Sequence, residues 1–431
     1  MNIINLPEGP EEPLDIGFTD NALELISSFK KQYGKCFSIF SPFRKAHTYV
    51  ISDPEMVKHV MLTNNKNYTK GVGMDRVKML LGNGIIVSEG DFWRKQRRMI
   101  QPSFHRKVIE RLSESMHEVN QRAHERWTRI AKEGGTINIT KEMSDISLEI
   151  VLNAIFSVDL ENLIKEKGEN PFMLITENTT RDLQFAVKFR SLTGYVKEFR
   201  KKREREERIE FDFLSMLMET RDKDTEEKMT EKELLDEVMS LIVAGHETSA
   251  ATLSWSWYLL SVNSGKRDLL HSEVDALNGR IPTFEDLKTL NYTEQILKET
   301  MRLYPPVWLI TRRAINEDQI GAYSVAPKTD IFISPYFIQR DESYWENPEE
   351  FHPERFSTEN IKERHRFTYF PFSGGPRQCV GDFFAMVEMQ IHLGYLSQTF
   401  QMEYVDEGEI ELEPQINLRS KRDLTLRPVI R

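Results

Sequence analysis

The segment FSGGPRQCVG, Phe372 to Gly381, holds one of only two cysteines in 431 residues. The other, Cys36, lies far away in sequence, which disfavours a disulfide. A zinc site takes about four ligands, often paired cysteines, and none stand near Cys379. A thiolate that ligates a single metal from one side remains; a buried structural cysteine in a turn is the alternative. An amphipathic helix is expected from about Val380 to Phe400, so Cys379 would sit at a helix start, where N–H groups and the dipole favour a thiolate. Gly375 and Gly381 would let backbone approach a flat ligand, and Arg377 would pair with an anionic group.

A second constellation is Ala244-Gly245-His246-Glu247-Thr248, inside a stretch that reads as one helix from Glu231 to Val262. From Val238 onward that helix is apolar on nearly every side and should be buried. Gly245 costs roughly 1 kcal/mol against alanine in a helix interior. Glu247 is an expensive carboxylate in apolar surroundings, and Thr248 can turn its hydroxyl onto the preceding backbone. Small residues beside an acid and an alcohol make a groove for a ligand and water. The structural alternative is a kinked core helix with a snorkelling acid. A third motif, KETMR, places Glu299 and Arg302 three apart on one helix face, and Arg355 in HPERF could complete a buried network; an ordinary surface pair is the alternative.

Positioning these residues requires a large, mainly α framework with small β-sheets. The apolar fraction of 39% is ample for a large core, and no linker, repeat or low-complexity tract interrupts the chain. A single domain over 1–431 is expected. Net charge is −10, which does not favour non-specific nucleic-acid binding. The first residues lack the basic and apolar regions of a signal peptide, and no run reaches the roughly 18 apolar residues of a membrane span. Two unpaired cysteines suit a reducing compartment. These features lead us to expect a soluble, cytoplasmic, monomeric protein. CFSIF and HTYVIS read as short strands, Asp53 and Pro54 as a helix cap and first turn, and GDFWRKQRRMIQPSF as a basic helix from about Asp91. LNYTEQILKETMRLYPP reads as a helix stopped by Pro305 and Pro306. The run KEFRKKREREERIEF is expected to be a solvated helix with spaced pairs such as Lys202/Glu206 and Arg203/Glu207. The span between Pro171 and about residue 200 is short.

Together these motifs resemble the cytochrome P450 family. FSGGPRQCVG matches its haem-ligand signature at every fixed position, AGHET its oxygen-binding helix, ETMR its Glu-x-x-Arg motif and PERF its third element, all in the family's order. The resemblance covers essentially the whole chain and looks like soluble bacterial members. It implies the cytochrome P450 fold and haem b (iron protoporphyrin IX) with Cys379 as axial thiolate. It also implies Phe372 near the sulfur, with Ala244 and Gly381 against the cofactor. Trp93, Arg97 and Arg377 would meet propionates, as would Arg312 or Arg313; the count back from Ile320-Gly321-Ala322-Tyr323 favours Arg312. Glu247 and Thr248 match the pair that handles protons for O2, the co-substrate. Two electrons would come from NAD(P)H through a ferredoxin or flavodoxin and a separate reductase. Arg94, Lys95, Arg97 and Arg98, with Lys362, Arg364 and Arg366, would face that donor.

The implied reaction inserts one oxygen atom into a substrate C–H bond, as hydroxylation or oxidative O-demethylation. A haem-thiolate sensor and a peroxide-driven haem enzyme are the rivals; the Glu247–Thr248 pair counts against both. The segments ENTTRDLQ, with Arg181, and GVGMDRVKMLLGNG, with Asp75, Arg76 and Lys78, are unusually polar for a pocket roof. With Val243, Val307, Trp308 and Leu309 as an apolar wall, they suit a small polar methyl ether such as a methylated sugar. Should those polar residues face solvent, a terpenoid, carotenoid or fatty acid fits instead.

Overall fold

The computed structural model describes residues 5–16, 19, 21–177, 183–361, 364–415 and 417–431. In chain order the helices are α1 (Ala22–Tyr33), α2 (Pro54–Lys58), α3 (Met74–Leu81), α4 (Gly90–Ile100), α5 (Arg106–Lys132), α6 (Ile139–Phe156), α7 (Val158–Lys167) and α8 (Leu174–Glu177). There follow α9 (Leu183–Ser191), α10 (Thr193–Glu206), α11 (Phe213–Glu219), α12 (Glu231–Val262), α13 (Ser264–Val274), α14 (Asn291–Leu303), α15 (Pro335–Ile338) and α16 (Asp382–Leu396). None of the helices among the described residues is long and apolar enough to cross a membrane. The chain divides into two compact units, one of Met1–Asp75, Lys298–Cys379 and Ile410–Lys421, the other of Arg76–Leu297, Val380–Glu409 and Arg422–Arg431.

The first unit is built on a five-stranded sheet. The expected strands Cys36–Ser41 and Ala46–Ile51 pair antiparallel. Asp330–Ile333 then runs parallel to the second of them, followed by Ile310–Ala314 and Tyr68–Lys70. The β-branched and aromatic side chains of these strands suit a sheet with both faces covered. One face packs into a cluster with Val57, Val60, Phe367 and Phe370. The other packs with Leu23 and Ile26 of α1, Phe37, Trp308 and Leu418. Asp53 caps α2 as expected, its Oδ1 accepting from the amides of Glu55 and Met56.

The second unit is organised around α12, whose bounds agree with the sequence reading. It starts with a capping box, in which Glu233 N–H donates to the Thr230 hydroxyl and Thr230 N–H to the Glu233 carboxylate. Its longest contact is with α6. Gly245 is needed there: a Cβ would fall 2.9 Å from a Val151 methyl carbon. Close packing against α6 is thus one reason for that glycine. At the far end Trp127, Trp257, His392 and Phe400 form a buried aromatic knot.

One expectation for this unit fails. Arg203 of the charged run is no solvated partner of Glu207 but is fully buried. Its guanidinium donates to Asp159 (2.6 Å), Asp212 (2.7 and 2.6 Å), the Ser215 hydroxyl and the Phe156 carbonyl. Two carboxylates and a carbonyl make the buried cation tolerable, and they join α7, α10 and α11. Glu207 lies beyond the end of α10 with a left-handed backbone.

Candidate active site

Cys379 lies in the turn that closes the first unit. Its amide donates to the Phe372 carbonyl at 2.9 Å, which folds residues 372–379 back on themselves. A 3-10 turn over Gly375–Arg377 shapes the middle. The turn depends on glycine at 375, where φ is +69° and a Cβ would fall 2.0 Å from the Met61 carbonyl oxygen. Gly374 is also constrained, though less, since a Cβ would meet the Phe367 ring at 2.7 Å. These glycines are demanded by protein packing. The thiol is exposed and in no disulfide, whereas Cys36 is buried. Regular helix begins three residues later, at Asp382, with Gly381 as the N-cap. Arg377 and Phe372 are half-buried beside the cysteine in sequence.

The sheet places the two candidate arginines of this unit differently. Adjacent strand residues point to opposite faces. Arg313 commits its guanidinium to Asp330, with Nε–Oδ1 at 2.9 Å and Nη2–Oδ2 at 3.0 Å. Arg312 is buried on the other face, its Nη1 donating to the Thr311 carbonyl. Of the two, Arg313 is committed to an acid, and Arg312 bonds a backbone carbonyl.

On α12 of the second unit, burial breaks where the motif lies. Ala244 is exposed, and Val243, Gly245, Glu247 and Thr248 are half-buried, between buried Ile242, His246 and Ser249. The Thr248 hydroxyl donates to the Ala244 carbonyl at 3.2 Å, the local back-bond expected of it. The pattern repeats along this face, Thr252 to Thr248 and Ser256 to Thr252. The helix nonetheless runs unbroken. In α4, Trp93 and Arg97 stand one turn apart and half-buried, with Arg97 Nε donating to Gln101 at 3.3 Å.

The Glu-x-x-Arg network is more complete than a surface pair would be. Glu299 and Arg302 are both fully buried and joined by two bonds, Nε–Oε2 at 2.7 Å and Nη2–Oε1 at 2.8 Å. Arg302 also donates to the carbonyls of Gln339, Pro348 and Glu350. Arg355 Nε approaches Glu299 at 3.4 Å, and the His352 amide donates to the same oxygen. The network ties α14 to the loop before the cysteine turn.

The profile described as Cytochrome P450 matches residues 13–187 and 170–425. The chain belongs to the cytochrome P450 family. It is 31% identical over 391 residues to cyclooctatin synthase of Streptomyces melanosporofaciens, covering 86% of this chain and 84% of that protein. It is 31% identical over 422 residues to the chloroplastic carotene epsilon-monooxygenase of Arabidopsis thaliana, covering 88% and 77%. The solved heme domain of cytochrome P450DA matches with a TM-score of 0.88 at 22% identity, over 100% of this chain and 99% of that one, a likeness of fold. The protein is a P450 monooxygenase, an oxidoreductase of a haem-iron family that uses O2, small substrates and redox-partner electrons.

The donor set fits haem: an exposed thiol on a rigid turn, with Arg377 and Arg312 in the same unit for anionic groups. Other expected residues of this P450 are placed less favourably. Trp308 is buried in the core and donates to the Gln415 carbonyl, while Val307 and Leu309 are half-buried. Asp75, Arg76 and Lys78 are exposed on α3, and Met74, Val77 and Leu80 turn to the less exposed face. Arg181 lies outside the described residues, as does Lys362. The basic helix is partly neutralised within the protein: Arg94 pairs with Asp91, Lys95 with Glu227, and Arg98 with Asp222 and Asp224. Arg364 stacks on Trp345, and Arg366 donates to Gln378.

Proposed function

We propose that Cys379 holds the iron of haem b and that this chain hydroxylates an apolar, hydrocarbon-rich substrate of terpenoid or carotenoid type. The cofactor supplies O2 activation, which thiolate ligation promotes. The observation that carries the reading is the closed turn at Phe372–Cys379 with its exposed thiol. In this reading Arg312 and Arg377 would hold propionates, a role the family resemblance also gives Trp93 and Arg97, and Phe372, Ala244 and Gly381 would contact the cofactor. Glu247 brings protons, and the Thr248 hydroxyl, able to leave its Ala244 carbonyl, hands them on towards O2. Electrons come from NAD(P)H through a ferredoxin or flavodoxin and its reductase. We read the chain as one P450 domain over 1–431, acting as a cytoplasmic monomer.

Exposure along α3 favours this substrate class. Its charged residues are exposed, so they do not argue for a polar pocket, whereas Val243, Val307 and Leu309 supply apolar surface. One relative is named a carotene monooxygenase, and another a cyclooctat-9-en-7-ol 5-monooxygenase. O-demethylation of a small polar methyl ether is the second reading, favoured by the charge of Asp75 and Arg76. Two experiments test the proposal. Cys379→Ser should lose the thiolate band in the reduced, CO-bound spectrum, and a retained band would remove the axial assignment. Titration of the ferric protein with a cyclic terpene alcohol, a carotene, a fatty acid and a methylated sugar separates the substrate classes by the low-to-high-spin change. A response to the sugar alone would reverse the preference.

A further inference from the structure

Three helices of the second unit bring together polar groups that the reaction above does not use. Glu388 of α16 and Ser147 of α6 are fully buried, and Ser249 of α12 nearly so. Both serine hydroxyls lie close enough to the carboxyl to favour its charged form, yet none of these contacts has the geometry of a full hydrogen bond. Among the described residues no protein group completes a hydrogen bond with either oxygen of Glu388 or with either hydroxyl. On α12, Thr248, Thr252, Ser254 and Ser256 turn back onto the carbonyl four residues earlier, whereas Ser240, like Ser249, is buried without such a bond.

The charge state of Glu388 follows from its surroundings. An ionised carboxylate buried without a cation is prohibitively costly. On α16 itself, His392 lies one turn along, with Nδ1 on Asn120 of α5 and Nε2 accepting from Trp257 of α12. Burial pushes its pKa down to about 3, so it is neutral. Arg122 and Arg126 of α5 reach Glu149 and Glu142 on α6, Arg106 of α5 lies over the Phe383 ring of α16 and Arg111 over Phe211, and Lys141 of α6 holds Asp145. Asp286 and Lys288, in the turn against α16, pair with Arg280 and Glu285. On α12, His246 bonds the Ile242 carbonyl through Nδ1. Burial raises the Glu388 pKa to about 8; the serines pull weakly the other way, and no charged group contributes.

We propose that Glu388, as the neutral acid, binds a buried water together with Ser147 and Ser249, and that this polar knot fixes the setting of α12 beside Thr248. A buried water typically makes about three hydrogen bonds to groups otherwise unsatisfied, and the three side chains here supply that number. The acid O–H donates to the water oxygen, which leaves both water protons for the serine oxygens. Glu388 is thus a positioning residue, acting through Ser249 on the residue before it.

The test uses the haem-loaded full chain. Wild type minus Glu388→Gln at pH 7 should show an infrared band of a protonated carboxylic acid that shifts in D2O; absence of the band overturns the charge assignment. A high-resolution crystal structure should show one water touching all three groups, and direct contacts among them would overturn the site. Glu388→Gln keeps a donor and an acceptor, so amide exchange over residues 244–252 should stay within about twofold of wild type. Glu388→Leu should speed it about tenfold. Equal exchange in the two variants would refute the positioning role even where the Leu variant is less stable overall.

Discussion

Replacing Arg302 tests the buried network that braces the first unit. Its guanidinium serves five acceptor positions: both oxygens of Glu299 and the carbonyls of Gln339, Pro348 and Glu350. Lysine keeps the charge but offers three donors from one point, so at least two acceptors lose their partner. A buried acceptor left unsatisfied costs about 1–3 kcal/mol, which puts Arg302→Lys about 2–6 kcal/mol below wild type. Arg302→Ala breaks a buried ion pair, a loss of about 3–5 kcal/mol. Arg355 at 3.4 Å and the His352 amide still face Glu299, but the carbonyls of Gln339, Pro348 and Glu350 lose their donor as well, so the alanine loss should be at least as large as that of lysine. Set against a typical stability of about 5–15 kcal/mol, both variants should fold with visibly lower urea midpoints and reduced haem content. Adding Glu299→Gln to Arg302→Ala should restore part of the loss, because it removes the carboxylate left short of charge. Equilibrium urea unfolding followed by circular dichroism gives each corner of the cycle. An Arg302→Ala midpoint equal to wild type, or a double variant weaker than the single, would refute the reasoning.

Gly375→Ala should lower the unfolding free energy by more than the roughly 1–2 kcal/mol of a left-handed backbone alone, because its Cβ also meets the Met61 carbonyl oxygen; an unchanged urea midpoint would contradict it. Glu388 makes stability depend on pH. Its pKa rises from 4.5 unfolded to about 8 folded, so the unfolded state alone ionises as pH climbs between those values, and stability falls by about 5 kcal/mol. The stability of wild type relative to Glu388→Gln should therefore drop across that window and level off above it; a difference that ignores pH would exclude the shift. Reduction by an acidic ferredoxin should slow with ionic strength, though shallowly, since Arg94, Lys95 and Arg98 already hold acids. A rate independent of salt would remove this docking surface.

Local chemistry was readable where it is carried by neighbours in sequence. The bounds of α12, the Asp53 cap and the Glu299–Arg302 pair all rest on spacings of a few residues. Long-range burial was not. Arg203 sits in a run whose every local spacing reads as surface pairs, and its true partners Asp159 and Asp212 lie on other elements. Gly245 and Gly375 were visible as unusual, but the groups that demand them, Val151 and Met61, come from distant segments. Strand alternation could have separated Arg312 from Arg313 had Ile310–Ala314 been read as a strand. Glu388 carried a usable signal, an acid on the same face as Phe384 and His392, both buried.

The contrast between the two cysteines turns labelling into a count. Burial, reinforced by Asp53, lifts the Cys36 thiol to about 12, so it contributes almost no reactive thiolate near neutral pH. Cys379 is exposed. A molecule whose Cys379 is occupied by iron should therefore take up no alkylating reagent, a natively folded one without cofactor a single equivalent, and an unfolded one two. Intact-mass spectra after brief alkylation would then resolve a mixed preparation into three populations, molecule by molecule, without reference to colour or turnover.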